Sequence, residues 1–312
     1  MKIGKIETKG NIFLAPLAGY TDVAFRRLCR DFGASLTTTE MISVSGLNYR
    51  NQKTDGMTVI APNEQPSCVQ LFGREAEQFS RAVTHHGIIP FDIIDVNMGC
   101  PMRKVTSNGE GAALMNDPAR AAEIVRALKN ACDKPITVKM RLGMKDAGGA
   151  VDFAKRMEDA GADMLTVHGR TAAQLYGGQA DWEAIRKIAR AVSVPVIGNG
   201  DVSEDNITER LDELSGIAVG RAAIGNPQIF SEKKFTVYEV VTRHIEYVAQ
   251  YFSEKYLCSS IRKFFSHYLK GIRGNKVIKD EIFRAVKKEQ LDGIIEKYKT
   301  ELGEHVSEEN NS

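Results

Sequence analysis

Residues 195–201 read PVIGNGD and residues 216–221 read GIAVGR. Each segment begins as a short apolar run with β-branched residues, which is typical of a buried strand, and then reaches a glycine beside a charged residue. Six similar runs precede them along the chain. The eight predicted strands are Asn11–Ala15, Ser35–Thr39, Cys68–Phe72, Asp92–Val96, Ile136–Met140, Asp163–Val167, Pro195–Gly198 and Gly216–Val219.

Amphipathic stretches lie between most of these strands, as at Asp117–Ala131, Gly149–Asp159 and Trp182–Ala191. Strands that alternate with helices in this way are typical of a (β/α)₈ TIM barrel. An open doubly wound sheet is the competing fold, but no G-x-G-x-x-G follows the first strand, so the usual dinucleotide fingerprint is absent. The sequence therefore predicts an α/β protein built on a TIM barrel.

The strand pattern stops after Gly225-Asn226-Pro227, and from about Thr236 the sequence is helical and polar. We therefore predict two domains, a barrel of residues 1–235 and a small C-terminal α-helical domain of residues 236–312.

Charge is uneven in the second domain. Lys255–Lys288 carries ten Lys and Arg against two acids, a net charge of +8, whereas residues 289–312 carry seven acids against two lysines, a net charge of −5. This pattern has two interpretations: a solvated helical face beside an acidic tail, or a surface that binds nucleic-acid phosphates through residues such as Lys270 and Arg273.

Composition excludes several classes of protein. The chain has 312 residues, is 43% hydrophobic and 26% charged, and has a net charge of only +2. No run approaches the ~20 apolar residues that span a bilayer, and the first 30 residues do not have the pattern of a secretory signal. The five cysteines show no C-x-x-C spacing. We expect a cytoplasmic protein with free thiols, with no membrane partner and no metal; the sequence implies no protein partner.

The active site of a TIM barrel lies at the carboxyl ends of its strands, so the residues there are the candidates for chemistry. Following the strands in order, they are Pro16, Leu17 and Ala18; Gln70; Asn97 and Cys100; Lys139 and Arg141; His168 and Arg170; Asn199, Gly200 and Asp201; and Gly220 and Arg221.

The last two groups occupy the place where barrel enzymes commonly bind a phosphate, after strands seven and eight. Ordinary strand-to-helix turns also favour these residue types, but the joint placement favours a phosphorylated cofactor. A cation at Lys139 could stabilise negative charge on a reduced planar cofactor. His168 is either a core histidine or a contact of that cofactor.

Cys100 lies between a glycine and a proline at a strand exit, which suggests a rigid loop over the barrel mouth. An unperturbed thiol has a pKa near 8.5 and is mostly protonated at pH 7, so it can act as an acid. As a nucleophile it would need a neighbouring base or a helix N-terminus, and the sequence leaves both roles open.

At these positions the sequence resembles the tRNA-dihydrouridine synthase family over nearly the whole chain, most closely its bacterial branch with an Asn-Met-Gly-Cys-Pro loop. The matching segments, in family order, are residues 15–22 (APLAGYTD), 70–73 (QLFG), 95–101 (DVNMGCP), 137–141 (TVKMR), 166–171 (TVHGRT), 195–201 (PVIGNGD) and 220–222 (GRA).

The resemblance implies FMN as prosthetic group, NADPH as reductant and a uridine of the tRNA D-loop as substrate. By that resemblance Pro16–Ala18 would line the flavin, Gln70 and Lys139 would contact its ring, and His168 would lie alongside. Asn199–Asp201 and Gly220-Arg221 would bind the ribityl phosphate. Hydride from reduced flavin would reach C6 of uracil and Cys100 would give a proton to C5. Substrate contacts are expected from Asn97, Arg141, Arg170, Lys270 and Arg273.

The sequence departs from the family in two places. Phe264 stands in the segment Ile261-Arg262-Lys263-Phe264 where a histidine is common, and the approach to strand eight is short.

Two other functions compete with the family reading. One is an FMN barrel acting on a small pyrimidine, like dihydroorotate dehydrogenase, and the other is a non-enzymatic RNA-binding protein in which Cys100 and Lys139 are incidental.

Overall fold

The computed structural model describes residues 1–49 and 52–303, including the backbone but not the side chains of Gln52 and Lys53. The end of the predicted acidic tail, residues 304–312, lies outside the described residues. The strands are β1 (Lys2–Ile3), β2 (Ile6–Glu7), β3 (Ile12–Leu14), β4 (Thr37–Thr38), β5 (Ile42–Ser43), β6 (Ser67–Phe72), β7 (Ile93–Met98), β8 (Ile136–Arg141), β9 (Met164–His168), β10 (Val196–Asn199) and β11 (Gly216–Val219).

Eight of these strands form a closed parallel barrel. The order is β4-β3-β11-β10-β9-β8-β7-β6, and β4 closes the ring because it pairs with β6 as well as with β3. Each barrel strand overlaps one of the eight predicted strands, so the TIM-barrel prediction is confirmed. The sequence did not predict β5, which pairs with β6, or the antiparallel hairpin of β1 and β2.

The helices are α1 (Val23–Asp31), α2 (Val44–Asn48), α3 (Gln52–Asp55), α4 (Ala76–Ala82), α5 (Arg103–Thr106), α6 (Pro118–Ala131), α7 (Ala150–Asp159), α8 (Trp182–Ala189), α9 (Ile207–Leu211), α10 (Arg221–Gly225), α11 (Val237–Tyr251), α12 (Glu254–Tyr268), α13 (Asn275–Arg284), α14 (Lys288–Lys297) and α15 (Lys299–Leu302). Short 3₁₀ helices cover Gly56–Thr58, Gly111–Asn116, Glu204–Asn206 and Pro227–Phe230. Among the described residues no helix has the length and apolarity needed to cross a membrane.

Local sequence explains where the helices begin. Asp117 caps α6 by accepting a hydrogen bond from the Arg120 amide, and Pro118 occupies the first helical turn, where its missing N–H costs nothing. Thr236 and Glu239 form a reciprocal capping box at the start of α11, which matches the predicted beginning of the helical region.

Two apolar clusters hold the barrel together. The larger one lies between the strands and the surrounding helices and continues into α11 and α12, which pack against α1 and α10. The smaller one fills the lower barrel interior with Phe13, Cys68, Ile93 and Met164, and Ile3 of the first hairpin joins it. The division into domains 1–235 and 236–312 stays a prediction.

Side chains alternate between these clusters along each strand, because successive strand residues point to opposite faces. On β7, Ile94 and Val96 belong to the outer cluster, while Ile93 belongs to the inner one and is followed on the same face by Asp95 and Asn97. The inward positions therefore change from apolar to polar toward the carboxyl end of the barrel.

Candidate active site

The inward polar positions of β6 and β7 form a chain of hydrogen bonds. Gln70 donates from Nε2 to Asp95 Oδ2 over 2.7 Å, and Asn97 donates from Nδ2 to Gln70 Oε1 over 2.8 Å. The Thr137 hydroxyl on β8 donates to Asp95 Oδ1 over 2.5 Å. All of these side chains are buried. The sequence predicted Gln70 and Asn97 as site residues, but not Asp95 or Thr137.

The loop that carries Cys100 is held from three sides. Asn97 Oδ1 accepts hydrogen bonds from the Gly99 and Cys100 amides at 3.2 and 2.9 Å, and Arg141 Nε donates to the Gly99 carbonyl at 2.9 Å. The Cys100 carbonyl accepts from the Ala112 amide at 3.0 Å. Gly111 has φ +59°, and a Cβ there would lie 2.8 Å from the Cys100 carbonyl oxygen, so this close approach requires glycine. The predicted rigid loop is present.

The Cys100 thiol is half-buried, and burial raises its pKa, although the charges of Arg141 and Lys139 oppose the rise. A raised pKa keeps the thiol protonated at neutral pH, which is the state that an acid requires. All five cysteines are free thiols.

Lys139, Asn199 and His168 meet on three adjacent strands. Lys139 Nζ donates to Asn199 Oδ1 over 3.2 Å, and Asn199 Nδ2 donates to the Ala218 carbonyl over 2.7 Å. Burial, and next the charge of Arg141, lower the pKa of Lys139 to about 8. Burial, and then the cations headed by Lys139, lower the pKa of His168 to about 2. At neutral pH His168 is therefore a neutral imidazole beside a mostly protonated lysine.

The ends of β10 and β11 carry the predicted phosphate-binding residues. Gly200 has φ +120°, and a Cβ there would come within 2.9 Å of the His168 ring, so its backbone lies against that ring. At Gly220 an added Cβ would meet Asn199 and Leu17 at 3.9 Å, which is ordinary van der Waals contact, so these two side chains border the Gly220 backbone. Arg221 follows directly and is half exposed, and a guanidinium beside a glycine backbone suits an anionic group.

The exposed Asp201 side chain accepts hydrogen bonds from two arginines. Arg170 donates to both of its oxygens at 2.9 and 2.7 Å, and Arg221 donates to Oδ1 at 3.2 Å. A carboxylate repels a phosphate, so Asp201 would assist an anion through its backbone or by orienting these arginines.

Arg141 and Arg170 are both buried and bonded to the chain itself. Arg141 donates to the Thr171 and Leu175 carbonyls at 2.8 Å, and Arg170 to the Gly177 carbonyl at 3.0 Å. They fix the loop of residues 171–178, which follows β9. At the tip of that loop Tyr176 is 52% exposed.

The Tyr176 ring lies within cation–π distance of two guanidinium groups. The centroid is 5.8 Å from Arg141 Cζ and 5.2 Å from Arg221 Cζ. Sequence reasoning missed this residue, although an aromatic residue in the loop after the sixth barrel strand was a signal that could have found it. An exposed ring flanked by cations at the barrel mouth suits a planar or anionic ligand.

Pro16–Ala18 follow β3. Pro16 and Lys139 line one small cavity in the barrel interior, and Leu17 borders the space beside Gly220. Ala18 is exposed. These contacts bring Pro16 and Leu17 into the same region as the predicted cofactor residues.

The basic stretch Lys255–Lys288 divides into two groups. Lys263 donates to the Gly19 carbonyl at 2.8 Å and Arg262 to the Ala285 carbonyl at 2.8 Å, so these cations serve the fold. The side chains of Lys270, Arg273 and Lys276 are exposed.

Phe264, which replaces the family histidine, is a core residue. Its ring centroid lies 4.8 Å from that of Phe25, 5.5 Å from that of Tyr20 and 4.5 Å from that of His244. The substitution therefore joins α12 to the barrel through packing and supplies no polar group.

Asp55, His85 and His86 offer ligand atoms within 4.8 Å of one another, the type of cluster that can hold a metal ion. Here His85 Nδ1 accepts from the Gly87 amide at 3.2 Å, which leaves its Nε2 facing Asp55 at 3.4 Å. Asp55 Oδ1, the atom that faces His85, is buried and has no hydrogen-bond partner among the described residues. The absence of a metal stays a prediction.

A sequence model of the family described as dihydrouridine synthase (Dus) matches residues 13–305. The chain belongs to the dihydrouridine synthase family. It is 37% identical over 293 residues to a probable tRNA-dihydrouridine synthase of Rickettsia conorii, covering 87% of this chain and 88% of that protein. It is 38% identical over 236 residues to tRNA-dihydrouridine synthase B of Pseudomonas putida, covering 74% and 70%. Membership of the family confirms the enzyme class predicted from the motifs.

Solved structures share the barrel. An old yellow enzyme homologue from Zymomonas mobilis (NCR) has a TM-score of 0.55 at 13% identity, covering 73% of this chain and 89% of its own. A variant of NCR from the same organism has a TM-score of 0.53 at 17% identity, covering 73% and 87%. At these identities the likeness concerns the fold alone.

Proposed function

We propose that this dihydrouridine synthase reduces the C5=C6 bond of a uridine in the tRNA D-loop, with FMN as prosthetic group, NADPH as reductant and Cys100 as proton donor. One observation carries the proposal. A protonated, half-buried thiol is fixed by Asn97 and Arg141 at the rim of a barrel whose upper interior presents an amide, a cation and a neutral imidazole.

The residues present fit a flavin mononucleotide. Pro16–Ala18, Gln70, Lys139 and His168 would hold the ring, while Asn199–Asp201, Gly220 and Arg221 would hold the phosphate. Bound there, the flavin would supply a hydride for C6 of uracil. The exposed Arg221 beside Gly220 suits the phosphate, because a guanidinium binds phosphate with two donors.

The proton for C5 would come from Cys100 Sγ. Burial keeps the thiol protonated before transfer, and the charges of Arg141 and Lys139 stabilise the thiolate left afterwards. Asn97, Arg141 and Arg170 position the groups around the base, the two arginines largely through the loops that they bind.

A uridine inside a folded tRNA must leave its stack to reach the barrel mouth. Tyr176, half exposed at the barrel mouth, offers a stacking surface, and Lys270 and Arg273 would contact tRNA phosphates. The barrel of residues 1–235 would thus do the chemistry and the helices of 236–312 would help hold the RNA. We place this function in the cytoplasm, where thiols stay reduced.

Three measurements test the proposal. Purified protein should absorb near ~450 nm from bound flavin, and NADPH should bleach that absorbance. Transfer RNA from a strain that lacks this enzyme should then reoxidise the flavin and restore its absorbance. The same tRNA should gain two mass units at a D-loop uridine. Oxidation of dihydroorotate without any reaction on tRNA would favour the small-pyrimidine enzyme instead. A colourless protein that binds tRNA would favour the non-enzymatic reading.

A further inference from the structure

We propose that Asp95 is a positioning residue that, through the side chains of Gln70 and Asn97, fixes the loop that carries Cys100. The proposal rests on the proposed function only in assigning proton transfer to Cys100. The contacts themselves, Asp95 to Gln70 to Asn97 to the Cys100 amide, are features of this structure.

The direction of every bond in this chain follows from its first member. Carboxylate oxygens accept hydrogen bonds, whereas a side-chain amide has a donating end and an accepting end. Because Asp95 Oδ2 accepts, Gln70 must turn its nitrogen toward Asp95 and its oxygen toward Asn97. Asn97 must then turn its nitrogen toward Gln70, which leaves its oxygen for the Gly99 and Cys100 amides.

Because the three side chains are buried, the donor and acceptor of each hydrogen bond in the chain are fixed. Asp95, Gln70 and Asn97 are 4%, 1% and 7% exposed, so water cannot readily replace a bond that is turned the wrong way. A reversed amide would place two acceptors or two donors against each other, at the cost of a buried unsatisfied group. Burial raises the pKa of Asp95, and the bonds from Thr137 and Gln70 oppose that rise.

The order also decides what the two amides offer a ligand. Gln70 Nε2 and Asn97 Nδ2 each carry two protons, and the chain uses one of each. Asn97 Nδ2 also donates to Met41 Sδ over 3.9 Å, a weak acceptor. The second proton of Gln70 is a donor, so a ligand atom that it meets must be an acceptor, such as a carbonyl oxygen of a pyrimidine or a flavin ring.

A reversal of the chain tests the proposal. In Asn97→Asp, residue 97 still accepts from the loop but cannot donate to Gln70, so two acceptors face each other somewhere between residues 97 and 95. Adding Asp95→Asn supplies a donor to Gln70 Oε1, and the whole chain can run the other way with every group satisfied. Asp95→Asn alone should be mild, because its amide nitrogen can turn to the Thr137 hydroxyl.

Two readouts on flavin-loaded protein do not depend on turnover: the melting temperature, and the rate at which iodoacetamide alkylates Cys100, read by peptide mass spectrometry with half-buried Cys132 as the internal reference thiol. Asn97→Asp should lower the melting temperature. It should also raise the alkylation rate of Cys100 about tenfold, which is the effect of one lost buried hydrogen bond. The Asp95→Asn/Asn97→Asp double variant should return the alkylation rate to within about twofold of the parent value.

Asp95→Ala/Asn97→Asp is the matched control, since it removes the same charge but supplies no donor. Rescue by asparagine and not by alanine supports the chain. Equal rescue by both, no rescue by asparagine, or an Asn97→Asp variant identical to the parent would each overturn it. If Asn97→Asp does not fold, recovery of folding in the asparagine double variant alone decides in the same way. Loss of tRNA reduction in Cys100→Ala is a separate result, so failure of the proposed function and failure of the chain can be told apart.

Discussion

Lys139 and Asn199 join β8 to β10 across the strand between them, with Nζ and Oδ1 3.2 Å apart. The partner in this bond is a neutral amide. Burial, and then the charge of Arg141, lower the pKa of Lys139 to about 8 from an ordinary value of 10.5, although the charge of Asp95 opposes the fall.

The lowered pKa of Lys139 predicts a pH dependence of stability. Below pH 8 the folded and unfolded chains both hold the proton, and above it the folded chain releases the proton first. Stability of the flavin-free protein should therefore rise between about pH 8 and 10.5, on the order of 1 kcal/mol after solvent screening. Urea unfolding at pH 7.5 and 9.5 checks this, and Lys139→Met should lose the rise. An unchanged difference in that variant would assign the effect to other groups.

Cys100→Ala should keep its flavin and its reduction by NADPH but lose uridine reduction by roughly 10²- to 10⁴-fold, because only a general acid is removed. Single-turnover reoxidation by tRNA measures the loss. The matched control is Cys132→Ala, which should behave like the parent. Cys132 is also half-buried, and its sulfur donates to the Leu128 carbonyl on α6. Full turnover of Cys100→Ala at neutral pH would exclude this thiol as the donor.

Arg221→Ala should bind flavin about ten- to a hundredfold more weakly, since a charge-assisted contact to phosphate contributes about 1.5 to 3 kcal/mol. Fluorescence titration with FMN gives the affinity. Arg190, an exposed arginine paired with Glu183 and Glu213, provides the control, and its alanine variant should bind normally. An affinity for FMN equal to that of the parent in Arg221→Ala would show that the phosphate does not bind at the end of β11.

Replacing Lys270, Arg273, Lys276 and Lys279 together by glutamine should weaken tRNA binding and flatten its salt dependence, by about 0.7 to 0.9 in log–log slope per lost phosphate contact. Oxidation of NADPH should not change. The control replaces Lys2, Lys5 and Lys9, which are exposed at the other end of the chain. If the quadruple variant binds tRNA with the parent affinity and slope, the stretch is a solvated face and the RNA surface lies elsewhere, with the rim around Tyr176 and Arg170 as the first place to look.

Sequence reasoning found the barrel because each of its eight strands contains, or directly adjoins, an apolar run that is read locally. It missed β5 and the β1–β2 hairpin, since Lys2–Ile3, Ile6–Glu7 and Ile42–Ser43 each hold a single apolar residue and form no apolar run. It proposed Gln70, Lys139 and Cys100 as site residues from their places at strand ends, and these assignments stay predictions. It could not find the role of Asp95, which depends on side chains from β6 and β8 that only the closed barrel brings together.

In the basic stretch Lys255–Lys288, the sequence could not show which cations bind the chain itself. Counting charges gave one continuous cationic segment, yet Lys263 and Arg262 bind backbone carbonyls of the chain itself. Which cations bind backbone carbonyls depends on the packing of α12 against the barrel. That packing cannot be derived from a count of charged residues.

Each barrel strand carries scaffold and chemistry in alternate positions, as Val138, Lys139, Met140 and Arg141 do on β8. Substitutions at the outward positions act on packing, and those at the inward positions act on the site. A single inserted or deleted residue does both at once, because it turns every later side chain of the strand to the opposite face. Lineages of this enzyme should therefore accumulate exchanges in these strands while keeping their lengths, and confine gaps to the connecting segments.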